Sequence, residues 1–68
     1  MNRGLHPLAK VRGRLDLTQE ELAARSGVDV TTIRHIESGR TQRPRAQTLA
    51  RLAQALDASV DDLLEVAS

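Results

Sequence analysis

Apolar residues along this chain recur at intervals of three and four, and no stretch alternates apolar with polar positions long enough to read as a strand. Leu8, Val11 and Leu15 follow Pro7 at helical spacing. They predict a first helix over residues 7–15, with the proline in the first turn, where its missing N–H costs little. In TQEELAARSG, Thr18 and Glu21 have the spacing of a capping box, and Glu20 and Glu21 complement the helix dipole. Gly27 suits the left-handed residue that closes a helix, so a second is expected over 19–25 with Leu22 and Ala23 facing inward. Asp29 can cap a third over 30–38, ended by Gly39. The segment AQTLARLAQAL collects Leu49, Leu52, Ala53 and Leu56 on one face of a fourth. Ser59 and Asp62 repeat the capping-box spacing and open a fifth over 60–66, which would bury Leu63 and Leu64.

Five short helices with brief connections predict an all-α bundle. The 68 residues are expected to form one domain over 1–68, with an ordered core at about 5–66 and frayed ends. A domain of this size buries only about 60% of the surface its unfolded chain exposes. With no Phe, Tyr or Trp, that core must be filled by Leu, Val, Ile and Ala. The lack of cysteine excludes disulfides, thiolate metal sites and Cys nucleophiles. His6 and His35 are the only histidines, and there is neither an HExxH motif nor a phosphate-cradling glycine loop. No enzyme, metal or cofactor is therefore expected. No apolar run approaches the roughly 20 residues of a membrane span, and the N-terminus lacks the apolar stretch of a signal peptide. A soluble, cytoplasmic protein is the expectation.

Charge changes this picture, because the net value of +1 conceals an uneven layout. Arg3, Lys10, Arg12 and Arg14 open the chain without an acid among them, and the end carries Asp57, Asp61, Asp62 and Glu65 without a base. Between Arg34 and Arg51 stand five arginines and the single acid Glu37. This permits an anionic partner on one face, although a mixed solvated surface has the same composition.

Residues 26–29, which include Gly27, are all that separate the second and third helices, the spacing of a helix-turn-helix. At about 100° per residue, Val30, Thr31, Arg34, His35 and Ser38 share one arc of about 140°. Ile33 and Ile36 lie opposite, and no acid falls on the polar arc. The stretch LTQEELAARSGVDVTTIRHIESGR closely resembles the helix-turn-helix of the lambdoid-phage-repressor and Cro-like family, often called the XRE family. Gln19, Leu22, Ala23, Gly27, Ile33, Ile36, Glu37 and Gly39 are the matching landmarks. TLARLAQALDASVDDLL resembles that family's fourth and fifth helices, so the likeness runs from about Leu8 to Leu64.

The resemblance implies a five-helix lambda-repressor-like domain that binds double-stranded DNA with the third helix in the major groove. Val30, Thr31 and His35 match the family's base-reading positions, although phosphate or solvent contact would serve His35 equally. Arg34 is long enough for guanine or a phosphate. Gln19, at a helix N-terminus, would hold the DNA backbone and buttress the reading helix. Ser38, Arg40, Thr41, Arg43 and Arg45 would contact the backbone, with Arg45 matching a basic residue that approaches the minor groove. Arg12 and Glu37 match a structural ion pair of the family. The implied partner is a palindromic operator bound by a weak or DNA-induced homodimer, with the protein on the nucleoid and not at a membrane. The implied role is a repressor-like transcriptional regulator. A protein-interaction module remains the alternative, either an antitoxin-like partner binder or the DNA-binding subunit of a larger assembly. The chain also departs from the family's pattern: its glutamine readers are absent, Gly13 lies inside the first helix, and Asp57-Ala58 stands where glycine is frequent.

Overall fold

Each expected helix is present in the computed structural model, which describes residues 6–64. They are α1 (Pro7–Arg14), α2 (Gln19–Ser26), α3 (Val30–Glu37), α4 (Ala46–Ala55) and α5 (Val60–Leu63), and among the described residues there is no strand. The last helix, expected over 60–66, ends at Leu63, while residues 65–66 and the fraying of the termini lie outside the described residues.

Local chemistry sets the helix starts. Thr18 Oγ1 accepts from the Glu21 N–H at 3.0 Å while Glu21 Oε1 accepts from the Thr18 N–H at 2.8 Å, a closed capping box. Ser59 and Asp62 make the same reciprocal pair at α5, with bonds of 3.0 and 3.2 Å. Asp29 caps α3 by accepting from the Thr31 N–H at 3.1 Å. His6 performs this task for α1: its Nδ1 accepts from the Leu8 N–H at 2.9 Å.

The helix ends depart from expectation in several places. α1 stops at Arg14, because the N–H groups of Leu15 and Leu17 both bond back to the Arg12 carbonyl and Asp16 turns the chain with φ of 57°. Leu15 is thereby turned outward, 49% exposed, and Leu17 takes a place in the core instead. α2 runs one residue further than expected, to Ser26, before Gly27 closes it at φ 77°. Ser38 and Leu56 cap α3 and α4 from outside the helices. α5 is a single turn, and Leu64 follows it with extended backbone. Its side chain leaves the interior and is 42% exposed, so the expected burial of Leu64 is not met, while Leu63 is fully buried. Ala23 is half-buried and packs against the core, facing inward as expected.

Leu8, Leu22, Ile33, Ile36, Leu52 and Leu63 form the fully buried centre, one or more from every helix. Leu17, Val28, Leu49, Ala53 and Leu56 complete the core, and no polar residue among those described is buried as a whole. α2 packs on α3 and α4, while α1 and α4 share α5 and α1 also meets α3. The interior of the bundle is therefore aliphatic, each fully buried side chain supplying about 1.5–3 kcal/mol before conformational entropy is subtracted. Ile33 and Ile36 commit one side of α3 to this core, which dictates the face left to solvent.

Candidate nucleic-acid interface

The turn that presents α3 contains three residues, Gly27, Val28 and Asp29. Gly27 supplies the left-handed step, and its N–H closes on the Ala23 carbonyl at 2.9 Å. Val28 is buried and its N–H donates to Ser26 Oγ at 3.1 Å. A turn pinned from both sides leaves little freedom in the angle between α2 and α3.

The side of α3 turned away from the core carries Thr31, Arg34 and Ser38 exposed, with Val30 and His35 half-buried. Beyond Ser38, Gly39 turns the chain at φ 85°, and the Thr41 N–H returns to the His35 carbonyl at 3.0 Å. Ser38 Oγ bonds the same carbonyl at 3.3 Å. The loop that follows is thus moored to the last turn of α3. Arg40, Arg43 and Arg45 on it are all exposed, and Thr41 is half-buried. Arg45 lies at the N-cap of α4 but makes no side-chain cap bond. It lines a shallow cleft together with Val28, Asp29, Thr32, Thr48 and Arg51.

Glu37, the only acid within α3, is drawn inward. Its carboxylate accepts from Arg12 Nε at 2.8 Å and from Arg12 Nη2 at 2.9 Å, a bidentate pair in which the two side chains are 8% and 20% exposed. Arg12 Nη1 donates to the Leu17 carbonyl at 2.7 Å, so the guanidinium joins α1, the loop after it and the end of α3. The hydrogen bonds that Arg12 donates to Glu37 raise its pKa above an already high ordinary value, partly offset by desolvation, and Arg12 stays charged. The anion of α3 is thereby neutralised away from the solvent face of the helix.

Gln19 extends this network across α2. Its Nε2 donates to Glu37 Oε1 at 2.9 Å, and its Oε1 accepts from Arg34 Nε at 3.3 Å. The amide can face only one way, since a carboxylate needs the donor and a guanidinium needs the acceptor. Arg34 Nη2 also reaches Glu20 Oε2 at 2.9 Å, in a pair whose side chains are 52% and 66% exposed. Glu20 has no counterpart among the site residues expected from sequence, where it figures only as a complement to the helix dipole.

A family model described as helix-turn-helix, of the Cro/C1 type, matches residues 8–63, which is most of the chain. The chain belongs to this family. Its match takes in all of α1 but the first residue and every later helix through the end of α5. Membership in this helix-turn-helix family supports DNA binding and a place in transcription regulation, and it is not a typical enzyme family. Among the described residues no helix is long and apolar enough to cross a membrane, and no group of three or more His, Cys, Asp or Glu could hold a metal ion.

Proposed function

We propose that the 68 residues act as a single domain that reads double-stranded DNA in the major groove through α3, as a repressor-like transcriptional regulator in the cytoplasm. The observation that carries this reading is the solvent face of α3: Val30, Thr31, Arg34, His35 and Ser38 without an acid among them, followed at once by three exposed arginines. B-DNA's major groove admits an α-helix, and its base edges carry a distinguishable donor and acceptor code. The Thr31 hydroxyl and the His35 ring can exchange hydrogen bonds with base edges, while Val30 and the Thr31 methyl suit a thymine methyl. Arg34 has the fork for guanine. Ser38, Thr41, Arg40, Arg43 and Arg45 hold phosphates, and Arg45 also enters a narrow minor groove beside them. Gln19 serves from the α2 side, as a buttress of Glu37 and Arg34 and as a neighbour of the DNA backbone.

The operator is palindromic in this proposal and is bound by a weak or DNA-induced homodimer, with half-site centres about 34–36 Å apart. Selection of duplexes from a random pool at several salt concentrations tests the proposal. A paired motif should enrich, and Arg43→Ala should lower the salt slope of binding by about 2 per dimer, one contact from each protomer, without changing the motif. Failure to enrich any motif, with no salt-dependent duplex binding, would refute it. Leu15 and Leu64 are the observation favouring a protein-docking role, since both large aliphatic side chains are exposed. Sedimentation with and without the selected duplex separates a docking role from DNA-induced pairing.

A further inference from the structure

The guanidinium of Arg34 meets two acceptors. Nε bonds Gln19 Oε1 at 3.3 Å and Nη2 bonds Glu20 Oε2 at 2.9 Å. Nε–H and one Nη2–H lie along one edge of the planar fork, and both acceptors are on α2. The terminal edge, Nη1–H with the second Nη2–H, is left to meet a partner. Two parallel donors on that edge match O6 and N7 of guanine. An ion pair as exposed as Arg34–Glu20 adds little to stability, so stability alone gives no reason for the arrangement.

We propose that Glu20, with Gln19, is a positioning residue that aims the terminal edge of Arg34 at a guanine and so sets one position of each half-site. The inference rests on α3 reading the major groove. Glu20 acts in two ways. It fixes rotamers that Arg34 would otherwise have to fix on binding, which lowers the ordering cost of the base contact. Its charge also offsets that of Arg34, so a neighbouring phosphate attracts the guanidinium less than a free arginine would be attracted. The first effect raises discrimination and the second lowers affinity for unrelated sequences, and both favour specificity.

The test uses the full chain against the duplex selected by wild type, a set of single-position variants of it, and an unrelated duplex. Wild type should prefer guanine at one position per half-site, and Arg34→Ala should lose the preference at that position alone. Glu20→Ala should weaken the same preference by about two- to fivefold, the most that so exposed an ion pair can supply, while binding the unrelated duplex more tightly. Glu20→Gln removes the same charge but keeps an acceptor of the same reach. It should share the tighter unspecific binding and retain the guanine preference. Thermal unfolding of each variant checks that the fold is intact. The proposal is overturned if Glu20→Ala keeps the full preference, if it loses affinity equally for every duplex, or if Arg34→Ala alters no position. If wild type enriches no motif and binds no duplex, the DNA reading fails and this inference fails with it. A wild-type motif that Glu20→Ala leaves unchanged removes the inference alone.

Discussion

Replacing Arg12 by alanine removes two charge-assisted bonds to Glu37 and one to the Leu17 carbonyl in a single step. Glu37 is 8% exposed and keeps only the Gln19 amide, so its carboxylate is left nearly buried and poorly paired. Stranding one partner of a fully buried pair costs about 3–5 kcal/mol. Arg12 is itself 20% exposed, so water can enter part of the vacated space, and a loss of about 2–3 kcal/mol is the expectation. Against a total of roughly 3–10 kcal/mol for a chain of this length, that is a large share. It corresponds to a fall in melting temperature of about 10–20 °C. Arg14 is exposed, and its replacement by alanine should stay within about 0.5 kcal/mol. Urea unfolding followed by far-ultraviolet circular dichroism reads both variants, with equal slopes required for the comparison. Adding Glu37→Gln to Arg12→Ala should recover about 1 kcal/mol, because a neutral amide no longer strands a charge. Equal midpoints for the Arg12 and Arg14 variants would refute the structural role of the pair.

Asp16 and Asp57 both adopt left-handed backbone, at φ of 57° and 55°. Asp57→Gly should therefore raise stability by up to about 1 kcal/mol, read from a higher urea midpoint, whereas Asp57→Val should lower it; a midpoint raised by valine would contradict the strain argument. The Asp62 carboxylate is held below its ordinary pKa, first by the Ser59 N–H, next by the Ser59 hydroxyl and last by the charge of Arg14. A depressed folded-state value means that this contribution is fully present above the unfolded aspartate pKa and disappears as pH falls through the folded one. The stability advantage of wild type over Asp62→Asn, followed by urea midpoints across the acid range, should shrink in that window; an advantage independent of pH would exclude the linkage.

Helix starts were legible because capping is local: Thr18 with Glu21, Ser59 with Asp62, and Asp29 each act over two or three residues. Helix ends depend on how the chain turns next, and an aspartate in left-handed conformation announces itself far less than a glycine does. Leu15 was misplaced for that reason: periodicity continues the helix through it, while Asp16 reverses the chain one residue later. Leu17 escaped because no helical period covers a connection. The arc of Val30, Thr31, Arg34, His35 and Ser38 followed from angular arithmetic alone, since Ile33 and Ile36 fix which side is inside. The bonds behind that arc span 14 to 25 residues of sequence, and no spacing rule reaches across them. Arg12 with Glu37 was available only through family resemblance, and Glu20 with Arg34 through neither route. The contact between Glu20 and Arg34 depends on how α2 and α3 pack, a tertiary quantity.

That packing also explains how a helix of eight residues keeps a defined outward face. Isolated helices this short are not stable in water, so α3 must draw its order from its surroundings. Asp29 fixes its first turn, Ile33 and Ile36 hold its middle, and Glu37 anchors its last turn to α1 and α2. The anchoring at the last turn is polar, and this has a consequence that an apolar contact would not have. Gln19 meets Glu37 through its donor and Arg34 through its acceptor, so the amide passes orientation from a nearly buried ion pair to an exposed guanidinium. An aliphatic residue at position 19 could fill space against α3 but could transmit no direction to Arg34. The polar network therefore links the interior of the bundle to the outward face of α3, and the sense of that link is set by which groups donate and which accept.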